Sequence, residues 1–160
     1  MNTIFNRRLF EAATVFLVFS LASTAQPAVG DYYSPADVIA DSTGDYIYVV
    51  ERTANQVQRI STATNAVTNT YALPDAPTGI TISNDNSTLY VTAGSSDGKV
   101  YVINISTQNI THTVNVGHTP MSPVLNSSGS KLYVCNRFDN NISVIELVGY
   151  TQTATVGVLR

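Results

Sequence analysis

The chain has 160 residues, enough for one signal segment and one modest domain, and a formal net charge of −3 with a pI near 5.1, which leaves no basic footprint for nucleic acid. Charged residues make up only 12% and Trp is absent, but apolar residues reach 44% in short runs, which excludes a disordered, solvating chain. A single cysteine, Cys135, excludes an intramolecular disulfide and any CxxC metal or redox motif.

In chain order, the N-terminus differs from everything after it. Arg7 and Arg8 precede the apolar run Ala12–Ala22, and Ser23 and Ala25 place small residues at the −3 and −1 positions of a cleavage site. This pattern predicts a secretory signal peptide over 1–25, cleaved after Ala25. The run is short for a membrane span, which needs about 20 apolar residues, so no stable span is expected after cleavage. Residues 26–32 read as a short linker. The expected location is extracytoplasmic: periplasm, cell surface or secreted.

From residue 33 the chain repeats itself. Tyr48, Tyr90 and Tyr133 lie 42 and 43 residues apart, and Pro35, Pro77 and Pro120 keep the same spacings. Gly44, Asn86 and Gly129 keep them too, and Gly and Asn are the residues that best tolerate a left-handed turn. Val57, Val100 and Ile142 open the next run, and THTV at Thr111–Val114 answers TATV at Thr153–Val156. The middle unit predicts four strands, roughly Gly79–Ser83, Thr88–Ala93, Lys99–Ile105 and Ile110–Val116, separated by Asn-, Gly- and Ser-rich turns. No segment after Gly30 has a helical period. Four strands in about 42 residues, repeated, define a β-propeller blade. VYVINI is continuously apolar, as expected of a strand covered on both faces. In the fourth strand Ile110, Val114 and Val116 share one parity and are expected on one face, with Thr111, Thr113 and Asn115 on the wetted one.

The fold class is therefore all-β: three four-stranded antiparallel blades forming an incomplete ring, at about 33–74, 75–117 and 118–160. LYVTAGSSDGKVYVINIST followed by NITHTVNVGHTP resembles the YVTN repeat of surface-layer and periplasmic seven-bladed propeller-like proteins. The signature tetrapeptide stands here as YVVE, YVTA and YVCN; Thr92 and Asn136 match it, while Glu51, Ala93 and Cys135 do not. The resemblance covers about three repeats, residues 33–160. It is specific for fold and weak for function, because repeat positions hold blades together and do not define a site.

Propellers typically close with 4–8 blades, so three leave apolar faces that a neighbour should cover. A fragment of a longer, seven-bladed protein, an independent chain that closes by self-association, such as two copies making six blades, and a truncated gene product that folds poorly all fit this pattern; a shortened family member is the first expectation and self-association the next.

Candidate chemistry is sparse. Charged residues follow the second strand of each unit: Glu51 and Arg52, Asp97 and Lys99, Arg137 and Asp139. These loops share one face of a propeller disc, and Arg52, Asp97, Arg137 and Asp139 are the candidate binding residues. No catalytic residue, metal site or cofactor is expected. His112 and His118 read as ordinary histidines, and Cys135 as a small buried strand residue rather than a nucleophile. Of the Asn-x-Ser/Thr triplets, Asn86, Asn109 and Asn126 fall in turns where a glycan could attach. The expected function is an exported, non-enzymatic propeller module for protein or surface-polymer binding or scaffolding, with self-association as a further partner mode. The alternative is a remnant or subunit of a lactonase-like or quinoprotein-like propeller enzyme.

Overall fold

Runs of Val, Ile and Tyr favour the pleated, half- or fully covered surface of a sheet, and the Asn/Gly/Ser clusters between them favour tight turns. A computed structural model describes residues 33–158 and shows twelve strands and no helix among them. The expected signal peptide (1–25) and linker (26–32) lie outside the described residues. The first sheet holds β1 (Pro35–Ala40), β2 (Tyr46–Glu51), β3 (Gln56–Ser61) and β4 (Ala66–Ala72). β5 (Pro77–Ile82), β6 (Thr88–Ala93), β7 (Lys99–Asn104) and β8 (Ile110–Asn115) form the second. The third contains β9 (Pro120–Leu125), β10 (Lys131–Asn136), β11 (Asn141–Glu146) and β12 (Thr151–Gly157). Each sheet is antiparallel with its strands in chain order, and the three sheets do not close into a ring.

The turns obey the expected chemistry. Gly44, Asn86 and Gly129 have φ of 77°, 57° and 68°, so each repeat places its left-handed residue at the same point of the first hairpin.

Every strand has a forward face, toward the next sheet in chain order, and a back face. Two apolar layers result. In the first, the forward side chains Tyr48, Val50, Val57 and Tyr71 meet the back side chains Ile80, Leu89, Val91, Ala93, Tyr101 and Ile103. In the second, Tyr90, Val100, Val102 and Val114 meet Leu132, Val134 and Ile145. β7 thus sends Val100 and Val102 one way and Tyr101 and Ile103 the other, which explains its unbroken apolar run. Neighbouring sheets approach most closely through their first strands, β1 against β5 and β5 against β9. Side chains stitch these approaches: Asp37 Oδ2 accepts from Ile80 N at 3.0 Å, and Asn86 and Ser42 exchange two bonds of 3.1 and 2.7 Å.

One expectation fails. Ile110 does not share a face with Val114 and Val116; it packs in the first layer and they in the second. The cause is a register shift between Val102 and Ile103, which pair with His112 and Ile110. The extra residue of such a bulge reverses side-chain parity along β8.

Tyr48 and Tyr90 are 2% and 5% exposed, and burial pushes both phenols from 10.0 up to about 12. A raised phenol contributes stability that is present below the unfolded value and lost as pH rises through the folded one. Denaturant melts at stepped alkaline pH are expected to show stability falling between about 10 and about 12, and Tyr90→Phe is expected to shrink that slope. At Gly98 an added Cβ would collide with the carbonyl oxygen of Gly117, a backbone atom that cannot step aside. Gly98→Ala is expected to cost about 2 kcal/mol or more in a thermal melt, against less than about 0.5 kcal/mol for Ser106→Ala on an exposed turn.

Candidate functional site

The hairpin loops between the second and third strands of each sheet lie beside the connections that lead from one sheet to the next. Arg52 N donates to Ser34 O, Gly94 N to Ala76 O and Arg137 N to Thr119 O, at 2.9, 3.1 and 3.2 Å. The same bond in each repeat pins each loop to the chain entering its own sheet. Loops and connections therefore share one face, and clefts open between successive loops.

The first cleft, about 370 Å³, is lined by Arg52, Asp75, Ala76 and Gly94–Asp97. Asp75 Oδ2 accepts from the Tyr101 hydroxyl at 2.5 Å. That phenol is 3% exposed, and burial, reinforced by the Asp75 bond, holds its pKa far above the usual value. Asp97 pairs with Lys99. Both acids are thus committed, and among the described residues Arg52 makes no ion pair. The second cleft, about 330 Å³, is lined by Ser95, Ser96, His118, Thr119 and Phe138. Asp139 closes one side: its Oδ1 lies 2.5 Å from His118 Nδ1 and its Oδ2 accepts from His118 N at 2.8 Å. These bonds hold the Asp139 carboxyl below the ordinary value. Phe138 stands 69% exposed at the rim.

Of the four sequence candidates, Arg52 and Asp97 come together in the first cleft. Asp139 lies at the second, locked to His118. Arg137 lines a different hollow with Cys135, Asn140, Ile142 and Val158. Sequence reasoning missed Asp75, Ser95, Ser96 and Phe138, and it read His118 as ordinary. The signal was available: Asp75 and His118 both stand two residues before the repeated prolines Pro77 and Pro120, so the connections belong to the same face as the hairpin loops.

Two other expectations meet the structure here. His112 is a packing residue, its ring stacked on Tyr150 with centroids 4.1 Å apart. Cys135, expected to be buried, is exposed. Its repeat equivalents Val50 and Thr92 are each 0% exposed because a sheet covers them; among the described residues, the forward face of the third sheet has no such cover. No group of three or more His, Cys, Asp or Glu side chains suited to a metal occurs among the described residues, and no helix among them is long and apolar enough to cross a membrane.

Three stacked four-stranded antiparallel sheets joined in chain order, with loops and connections on one face, define a β-propeller protein. The chain belongs to the YNCE-like beta-propeller family, whose model matches residues 36–127. No curated protein matches it by sequence. Among solved structures it is similar to hydrazine synthase of Kuenenia stuttgartiensis, with 21% identity and a TM-score of 0.73 over 82% of this chain and 38% of that one. It is also similar to the RRP9 WD40 repeats, with 12% identity and a TM-score of 0.69 over 81% and 40%. A Bacteroides uniformis protein assigned as a 6-phosphogluconolactonase shows 18% identity and a TM-score of 0.62 over 71% and 36%. The chain spans about two fifths of the length of these proteins, and at such identities the likeness is one of fold.

Tyr101→Phe removes the donor that Asp75 accepts from. It is expected to lower stability by about 2 kcal/mol, as for a hydrogen bond to a charged group. Asp97→Asn, which breaks only a pair with an exposed carboxylate, is expected to leave the thermal midpoint within about 2 °C.

Proposed function

We propose that this chain is an extracytoplasmic, non-enzymatic propeller module whose loop face binds a protein or cell-surface polymer through an anionic group. The observation that carries this reading is Arg52, a guanidinium without an ion pair among the described residues, at the edge of a polar cleft whose two carboxylates are already engaged. A planar guanidinium with five donors suits a carboxylate or phosphate. The serines Ser95 and Ser96 line both clefts, so a ligand bound at Arg52 can continue toward Phe138 in the second. Polar anchor and exposed aromatic, joined by hydroxyls, suit an extended partner rather than a small enclosed substrate. The export reading rests on the basic, apolar and small-residue order of residues 7–25. Arg137 and Asp139 serve the same face, the first as a second cation beyond the clefts and the second by holding His118 in place.

The test is co-sedimentation of the exported protein with isolated cell-envelope polymer and with envelope protein, at two salt concentrations. Wild type is expected to bind and to weaken at high salt; Arg52→Ala is expected to lose about tenfold in affinity, while Lys131→Ala, at the far end of β10, is not. Cell fractionation is expected to find the mature chain outside the cytoplasm, beginning at Gln26. Hydrolysis of any member of a lactone panel, or a co-purifying redox cofactor, would replace this reading by the propeller-enzyme alternative.

A further inference from the structure

At the end opposite the loop face, the junction between the second and third sheets differs from the junction between the first and second. At the first junction three large forward side chains fill the space: Tyr46, Arg59 and Tyr71. The Arg59 guanidinium lies 3.8 Å over the Tyr46 ring, and the Tyr71 hydroxyl donates to Ile105 O at 3.4 Å. Their repeat equivalents in the second sheet are Thr88, Val102 and Val114. Where that side-chain volume is missing, a cleft of about 340 Å³ opens. Small-ligand sites begin at about 300 Å³. All of its lining residues lie in the second and third sheets and their hairpin turns.

The cleft holds a polar group that the fold does not use. Tyr90 is 5% exposed; its ring packs in the second apolar layer, and the Tyr150 phenol and the Asp85 carboxylate both act on its hydroxyl end. That hydroxyl makes no hydrogen bond among the described residues. Buried phenols normally find a partner. At the first junction the equivalent phenol, Tyr48, has the Arg59 guanidinium for a neighbour; at the second, Val102 stands in its place and offers no polar group. Burial pushes the Tyr90 phenol up to about 12, so at neutral pH it both donates and accepts.

The walls supply further fixed groups. Asp85 Oδ1 accepts from Ser83 Oγ at 2.5 Å and from Ser87 N at 3.1 Å, and the Ser87 hydroxyl lies 2.8 and 2.9 Å from the two carboxylate oxygens. These bonds hold the carboxyl below its ordinary value. Ser128 and Leu125 line the side contributed by the third sheet. Tyr150 lines the cleft as well, and its ring is fixed by stacking on His112 with centroids 4.1 Å apart. Its φ of 51° is left-handed, a conformation uncommon for a bulky residue, at the position where the sister repeats carry Asn65 and Gln108.

We infer that this cleft is a carbohydrate site that takes one neutral hexopyranose unit, whose hydroxyls meet the Tyr90 hydroxyl and the Asp85 carboxylate while a C–H face of its ring lies against Tyr150. The lining selects that chemistry. Among the described residues no Lys or Arg lines the cleft, so an anionic group gains no ion pair there. The one carboxylate is already bonded by two serines, which makes it a fixed acceptor rather than a bare charge that calls for a cation. A fixed acceptor, an unpartnered hydroxyl and an aromatic ring match the alternating hydroxyls and C–H faces of a sugar. The cleft lies at the opposite end of the strands from Arg52, so it is a second site and does not rest on the reading of the first.

The test is saturation-transfer NMR, followed by calorimetric titration, of the full exported chain with glucose, galactose, mannose, N-acetylglucosamine, maltose and cellobiose. At least one of these sugars is expected to bind, with transfer to its ring protons. Tyr150→Asn, which installs a residue already held at that backbone position in the first sheet, is expected to weaken binding about tenfold or more. Tyr90→Phe keeps the ring and is expected to cost about fivefold. Thr88→Tyr, which restores the first junction's Tyr46, is expected to block the cleft. Arg52→Ala is expected to bind the sugar as wild type does, whatever it does to envelope binding. Thermal melts check that each variant folds. Failure of every sugar to bind, binding that survives both Tyr150→Asn and Thr88→Tyr in folded protein, or binding of tetramethylammonium in place of sugar would overturn the inference.

Discussion

A four-stranded sheet whose strands are apolar on both faces cannot be soluble alone, and that constraint organises the protein. The side chains that build each unit are the side chains that bind it to the next. Tyr90 and Val102 face one way and Val91 and Tyr101 the other, so the second sheet belongs equally to two apolar layers. The repeat is therefore less a set of similar parts than a set of matched faces, and stability resides at the junctions. A substitution at a layer position is felt by two sheets, whereas one at an exposed loop position such as Asp97, paired only with Lys99, disturbs little.

Much of this was legible in the sequence because the constraint acts at fixed intervals. The recurring Tyr, Pro and Gly/Asn positions located every hairpin, and β6 begins and ends where its residues predict, at Thr88 and Ala93. What escaped was of two kinds. Bulges escaped because one extra residue in β8 inverts parity without any change in composition, which moved Ile110 to the other face. Coverage escaped because a residue's burial is set by its neighbour in space. Cys135 carries the residue type of a covered position and stands exposed, since no described sheet lies over it.

The loop face was legible only in part for a related reason. Charged residues after each second strand stand out in a chain with few charges, and that brought Arg52 and Asp97 to notice together. The connections contribute as much, yet Asp75 sits in a segment that reads as a plain turn before a proline. Its role rests on the Tyr101 hydroxyl, 26 residues away and mostly hidden in the first apolar layer. The cleft is thus tied to the core: the phenol that fixes Asp75 also packs against the first sheet, so the shape of the loop face and the seating of the two sheets depend on one side chain.

The same logic explains why residues at one repeat position differ so much. Ala93 and Asn136 both end a second strand, one a methyl and the other an amide. The difference follows from what the adjoining connection offers. At the repeat position of Gly117 the connection before the second sheet holds Pro74, which has no N–H for a side chain at Ala93 to satisfy. Beside Asn136 the connection holds Gly117, whose N–H is taken up by the amide oxygen at 3.1 Å. The hairpin turns follow the same rule. At the first junction the bonding amide belongs to the following sheet, Asn86, and the preceding sheet answers with the small hydroxyl of Ser42. At the second junction the amide belongs to the preceding sheet, Asn84, and the following sheet answers with Gly129, which leaves room for it. One amide bridges each junction, and its partner position is small enough to receive it. In a protein made of matched faces, the positions that break the repeat are the ones that record what each face meets.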